Sequence, residues 1–263
     1  MMRVVALLAC LLMASVASAR AESASAAVRI ASPEAVFLDV ARQIGGSQVD
    51  VEFVKASERP AERPQILIYE DAADDRLAPG ALQRIGAGAT MVARSLAPSS
   101  GEEGPSWYDL SSMAALGDAL AKAIARAAPR DADGIEARRD GFLKALAVLK
   151  LKSKAIVDGY GGTSVLLTDA RFAPFCRSLG LTVVAVPAGE ASAVKSAIAS
   201  RKGIVLIYNA EVQGGLGPLK ALAEDSGLPL VGLRLTLPSG LSYQQWIGRE
   251  INQIHGALNE AAP

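Results

Sequence analysis

The residues able to do chemistry in this 263-residue chain are oxygen donors and guanidiniums, with scarcely an imidazole or thiol among them. Glu70, Asp71, Asp74 and Asp75 follow the apolar run Ile66 to Tyr69, Asp169 follows Thr168, and Glu211 comes shortly after the apolar run Ile204 to Tyr208. Carboxylates gathered at strand ends form the all-oxygen set that a harder cation such as Mn²⁺, Ca²⁺ or Mg²⁺ accepts, and Asp169, Glu211 and Glu70 are the expected ligands for one. Arg171 and Arg234 fall near the same edge. A guanidinium close to a cation opposes it by about 4 kcal/mol per pair at an effective dielectric near 20, so these two suit an anion instead. Tyr69, Trp107, Tyr108, Phe172 and Tyr208 flank strand ends or loops, with Asn209 beside the last, and offer rings on which an organic ligand could stack. Cation, anion and organic ligand all remain open on these residues.

Other chemistries find no support. The one histidine, His255, lies close to the C-terminus, and a single imidazole cannot build a zinc site. No nucleophile elbow, zinc-protease helix or paired-cysteine motif occurs, and we expect no enzymatic activity and no catalytic residues. Gly159 to Gly162 and Gly214 to Gly217 lack the spacing and lysine of a phosphate-binding loop and read as turns. Lys+Arg 27 balances Asp+Glu 27, with no basic run interleaved with aromatics, which argues against nucleic acid as a partner.

The elements that must position these groups alternate between strand and helix. Val28 to Ile30, Val49 to Val54, Ile66 to Tyr69 and Ala89 to Ala93 read as strands, and Ser32-Pro33 as the N-cap and first residue of a helix carrying Val36, Phe37, Val40 and Ile44. Ile204 to Tyr208 and Leu228 to Leu235 are further strands. Between them Pro218 opens a short helix that Gly227 ends. Ser242 and Gln245 form a capping-box signature ahead of Tyr243, Trp246, Ile247, Ile251, Ile254 and Leu258 at helical spacing. Unbroken apolar runs of this length suit strands buried on both faces of parallel sheets, whose loops share one edge.

In order and spacing, the segments Trp107-Tyr108-Asp109, the amphipathic helix with Met113, Leu116, Leu120 and Ile124, Thr168-Asp169-Ala170-Arg171-Phe172, Leu179-Gly180-Leu181, and the block from Gly203 to Glu250 resemble the zinc- and manganese-binding solute-binding proteins of bacterial ABC importers. The resemblance covers most of residues 100 to 258. It implies an α/β protein of two lobes, each with a small, mainly parallel sheet flanked by helices, joined by a long rigid linker helix. The expected division is a signal peptide over 1–21, an N-terminal lobe over 22–130, the linker helix over 131–152 and a C-terminal lobe over 153–263.

The resemblance also implies where metal ligands belong, and there the chain departs from the pattern. The first histidine position falls in the loop Lys55 to Pro60, which has no imidazole; the second falls on Pro105 or Ser106; the third on Asp169; the fourth on Leu235. At most one of four ligands survives. The implied role is the periplasmic solute-binding component of a metal-type ABC importer with a degenerate site, binding metal weakly or through oxygen only, or binding something else. The alternative is a non-transport periplasmic scaffold that kept the two lobes. No cofactor is required beyond a divalent cation, and the implied partners are an ABC permease in the inner membrane and a small ligand or metal ion, with the protein itself a monomer. The leader agrees: Arg3 precedes an apolar run from Val4 to Ala17 and small residues follow, as in a cleavable secretory signal. With Cys10 removed in the leader, Cys176 has no partner for an intrachain disulfide.

Overall fold

Short apolar runs of four or five residues build two separate parallel sheets, one on each side of a long helix. The computed structural model describes residues 27–55, 60–70, 88–96, 104–186, 191–200, 202–212 and 216–262. The signal-peptide reading of 1–21, the acidic residues Asp71, Asp74 and Asp75, most of the loop from Lys55 to Pro60, and Gly214-Gly215 lie outside them.

The N-terminal sheet contains β1 (Val28–Ser32), β2 (Val49–Phe53), β3 (Ile66–Tyr69) and β4 (Ala89–Val92) in the order β2-β1-β3-β4. The C-terminal sheet contains β5 (Ser164–Leu167), β6 (Thr182–Ala185), β7 (Leu206–Asn209) and β8 (Leu230–Leu233) in the order β6-β5-β7-β8. All pairings are parallel. In each sheet the chain crosses to one side of its first strand and then returns to the other, so a topological switch point lies between β1 and β3 and again between β5 and β7. Open α/β sheets bind ligands at such points, beyond the carboxyl ends of the strands.

Among the described residues seven α-helices flank the sheets: α1 (Ala35–Gly45), α2 (Leu110–Ala127), α3 (Ala132–Tyr160), α4 (Ala173–Ser178), α5 (Ala191–Ala199), α6 (Leu216–Asp225) and α7 (Tyr243–Ala261). The expected capping box is formed at α7, where Ser242 and Gln245 satisfy each other's backbone N–H groups. Gly227 ends α6 at φ 64°, a conformation that costs a glycine little. Two expectations are corrected. Ser32 and Pro33 do not open α1: Ser32 ends β1, paired with Phe53, and Glu34 is the N-cap residue, its own N–H donating to Ser32 Oγ at 3.0 Å. The linker helix α3 does not stop near Lys152 but continues to Tyr160, because Leu149 and Ile156 keep a buried stripe against α7.

One core runs through both lobes. It joins Phe37 and Ile44 of α1, Leu116 and Leu120 of α2, Phe142 and Leu146 of α3 and Val165 of β5 to Trp246 and Ile254 of α7. Smaller clusters sit on the outer faces of each sheet. The seam between the lobes is aromatic. Tyr108 packs against Phe172, Phe175 and Trp246, and Phe37 meets Trp107 edge to face. Fully buried Tyr243 donates its hydroxyl to the Trp107 carbonyl at 2.7 Å, and its backbone N–H donates to Asp39 Oδ2 at 2.8 Å. Gln43 and Gln244 exchange a pair of amide hydrogen bonds at 3.0 and 2.8 Å.

Glu250 of α7 is sealed into this seam. Its Oε1 accepts from the Arg234 N–H and from Trp246 Nε1, both at 2.8 Å, while its buried Oε2 has no hydrogen bond among the described residues. The Tyr108 hydroxyl, which donates to the Arg234 carbonyl, lies within reach of the same carboxyl. Burial pushes its pKa up to about 7, against the hydrogen bonds that favour the charged form. A raised pKa means that the folded protein holds the proton more tightly than the unfolded chain. The stabilisation is therefore complete below pH 4.5 and is lost as pH rises to about 7. A shift of this size corresponds to about 3 kcal/mol. Glu250→Gln keeps an uncharged group there at every pH. It is expected to unfold at higher urea than the wild type at pH 8 and at nearly the same urea at pH 4.5, and parallel pH profiles of the two proteins would contradict this.

Candidate functional site

Each central strand delivers a carboxylate to its carboxyl end. Glu34 follows β1, Glu70 follows β3, Asp169 follows β5 and Glu211 follows β7. The two sheets turn these ends toward one another, and between them lies a cleft of about 450 Å³ whose wall includes Glu34, Glu70, Arg94, Trp107, Arg171 and Glu211. Gly104, Pro105, Leu235 and Thr236 complete the lining. The approach is tight at Gly104, where a Cβ would stand 2.7 Å from Pro174 Cγ and 3.1 Å from the Arg171 carbonyl of the other lobe. Only glycine fits there.

The three carboxylates expected as ligands, Glu70, Asp169 and Glu211, lie at this edge, Asp169 outside the cleft lining, and each is already engaged. Glu70, 5% exposed, accepts from the Ser106 N–H at 2.6 Å and Ser106 Oγ at 2.5 Å, and pairs with Arg94 Nη2 at 3.0 Å. The same Nη2 donates to the Gly104 carbonyl at 2.7 Å. Arg94 thereby ties the ends of β3 and β4 to the loop before Trp107. Glu211 accepts from the Leu235 and Thr236 N–H groups, both at 3.1 Å, and from the Thr236 hydroxyl. Asp169 holds Arg171 through two oxygens, at 2.9 and 2.6 Å, and accepts from Asn209 Nδ2 at 2.9 Å. Its partial burial alone would raise the pKa, but the Arg171 guanidinium and the Asn209 amide outweigh this and hold the carboxyl below its usual range.

The organic and anionic candidates divide in the same way. Trp107 and Arg171 line the cleft. Tyr69 is buried on the outer face of its sheet with Ala31, Val54 and Leu67, and Tyr208 carries Lys220 over its ring at 5.6 Å; neither is among the lining residues. Asn209 acts behind the wall, accepting the Glu211 N–H at 2.9 Å while holding Asp169. The Arg234 side chain is exposed and is not in the lining, although its backbone bonds with Glu250 and Tyr108 help to close the seam. His255 packs its ring against Tyr160, away from the cleft. Among the described residues no three His, Cys, Asp or Glu side chains come together as a metal-holding group.

Sequence reading missed Arg94, Glu34 and Thr236. Arg94 had a usable signal, since it is the first charged residue after the strand it follows, at the same edge as Glu70. Glu34 was hidden by the N-cap assigned to Ser32.

No protein-family model and no curated protein matches this sequence. Solved structures do match. The solute-binding protein FpvC of Pseudomonas aeruginosa, solved in complex with Mn²⁺, is 15% identical, with a TM-score of 0.69 over 90% of this chain and 100% of FpvC. The periplasmic zinc-binding protein TroA of Treponema pallidum is 12% identical, with a TM-score of 0.68 over 88% of this chain and 99% of TroA. Zn(II)-bound AdcA of Streptococcus pneumoniae is 15% identical, with a TM-score of 0.69 over 90% of this chain, which spans 59% of the AdcA chain. The fold is thus that of metal-binding solute-binding proteins, two parallel-sheet lobes on a linker helix.

Removing Arg94 should leave a nearly buried carboxylate with neutral partners in place of a cation. Arg94→Met is expected to cost about 1.5–3 kcal/mol in urea unfolding. Glu70→Gln in the same chain should recover about 1 kcal/mol or more. Additive effects of the two changes would show that the pair does not stabilise the cleft wall.

Proposed function

We propose that this protein is the periplasmic solute-binding component of a metal-type ABC importer whose site has diverged, so that it delivers to an inner-membrane permease a ligand other than a nitrogen-held transition metal. The observation that carries the reading is the state of the acceptors. Glu70 and Glu211 line the cleft and Asp169 lies at the same strand edge, but arginines, backbone amides and hydroxyls already occupy all three. A closed zinc site is built mainly from His nitrogens or Cys sulfurs, and the lining of the cleft has neither, its ligating groups being carboxylates beside two arginines. The ligand is then a cation held weakly through oxygen, by Asp169, Glu211 and Glu70, or a small organic molecule met by Trp107 and Arg171. Export is supported by the apolar leader from Val4 to Ala17 and by the periplasmic placement of TroA. The neighbours in fold are binding proteins, which supports a binding role in place of catalysis.

A second reading, a non-transport periplasmic scaffold, is favoured by one observation. Glu70 at the cleft wall and Tyr243 in the seam are each satisfied by the chain's own groups.

Protein dialysed against a mild chelator is expected to retain no stoichiometric zinc by elemental analysis; one zinc per chain would sink the diverged-site reading. Thermal-shift screens of divalent cations and of small carboxylates and phosphates separate the remaining cases. For an oxygen-held cation, Asp169→Ala abolishes the shift and Arg171→Ala preserves or enlarges it, because a repulsive charge has gone. For an anionic ligand, Arg171→Ala costs about 1.5–3 kcal/mol of binding while Asp169→Ala costs little. No shift with any compound points to the scaffold.

A further inference from the structure

The chain is neutral overall, yet its charge is unevenly placed along α3. From Gly141 to Val157 the linker helix carries Lys144, Lys150, Lys152 and Lys154 and no acidic residue. Alongside it, α7 presents exposed Arg249 and Asn252, and from Ile251 to Asn259 it also has no acid. Within this basic face lies an apolar crest. Lys144, Ala147, Val148, Leu151 and Ala155 share one helical stripe and all are exposed, Leu151 at 68% and Val148 at 53%. A globular interior explains none of them, since the buried face of α3 is made of Ile135, Phe142, Leu146, Leu149 and Ile156.

We propose that this face of α3 and α7 docks on an anionic lipid surface, with Val148 and Leu151 entering the interface and the lysines meeting the headgroups. Two features favour lipid over an acidic protein partner. Val148 and Leu151 stand out from the helix, 53% and 68% exposed, and a membrane needs only a crest that can be immersed. The cations are mainly lysines on long stems, exposed at 144, 150 and 154, and lysine is depleted in protein interfaces but well suited to snorkelling at a bilayer. Lys152 is steadied by Asn252 Oδ1 at 3.2 Å, and Lys154 is shared with Asp158 at 2.6 Å, so the remaining lysines and Arg249 supply most of the attraction. The groove beside this crest and the ligand cleft have no residue in common, so docking here leaves the cleft accessible and does not depend on what it binds.

The test is co-sedimentation of residues 22–263, which keep every described residue but lack the apolar leader that would itself bind lipid. The probes are vesicles of phosphatidylcholine alone and vesicles with roughly one-third phosphatidylglycerol. Sedimentation with the anionic vesicles only, reversed at roughly 0.5 M salt, is the expected result. Lys144→Glu with Lys150→Glu should weaken it at least about tenfold, since each lysine near the surface contributes about fivefold. Val148→Asp with Leu151→Asp should weaken it as strongly while leaving the thermal unfolding midpoint unchanged, because both positions are exposed; should that pair misfold, Leu151→Ser replaces it. The proposal is overturned if the wild type ignores anionic vesicles, binds neutral ones equally, or binds no better than the folded variants. Capture of an acidic protein without vesicle binding would overturn it too.

Discussion

The bond from the Tyr243 hydroxyl to the Trp107 carbonyl is the constraint from which much of the molecule follows. Tyr243 is fully buried and begins the last helix, while Trp107 ends the loop that leads out of the N-terminal sheet. A buried hydroxyl and carbonyl that lost one another would each forfeit a hydrogen bond with no water to replace it. The lobes therefore cannot swing apart at this point without unpacking the Tyr108, Phe172, Phe175 and Trp246 rings as well. A cleft between lobes so joined must exist in nearly its final shape whether or not it is filled. Its polar wall then has to be satisfied by the protein itself, which is the condition in which Glu70, Asp169 and Glu211 are found.

Two buried carboxyls show how different that satisfaction can be. Glu70 has a guanidinium on one oxygen and a hydroxyl on the other, with a backbone amide besides. Glu250 has only neutral donors and one oxygen without a hydrogen bond among the described residues, and burial accordingly pushes its pKa up to about 7. The first is a charged tie at the cleft wall. The second behaves as a largely apolar filler in the seam, and its cost appears only when high pH removes the proton.

Much of the fold was legible because its signals are local. The capping box at Ser242, the terminating Gly227 and the short apolar strands each follow from a few neighbouring residues, and the structure has all of them. The start of α1 was misread for an equally local reason: Ser-Pro before an apolar stripe imitates an N-cap, yet Ser32 is held in the sheet by pairing with Phe53, a residue far along the chain. At the site, the sequence located the carboxylates because residues following strands of a parallel sheet must gather at one edge. It did not show what they bond. That Asp169 would take Arg171 two residues on was a local possibility, but the pairing of Glu70 with Arg94 and Ser106 depends on loops brought together only by the fold.

Arg94 also explains how a deeply placed carboxylate is kept at the cleft wall. A carboxylate buried as deeply as Glu70 needs a cation or several strong donors, whatever the cleft binds. Here a single guanidinium nitrogen, Arg94 Nη2, reaches both the Glu70 carboxylate and the Gly104 carbonyl, while Ser106 completes the set. Gly104 is itself confined against Pro174 and the Arg171 backbone of the opposite lobe, so the tie extends from the N-terminal sheet to the lobe contact. An internal cation of this kind does for the wall what a bound ion would do, at no cost in association entropy, and any ligand that enters must either leave it in place or offer Glu70 something better.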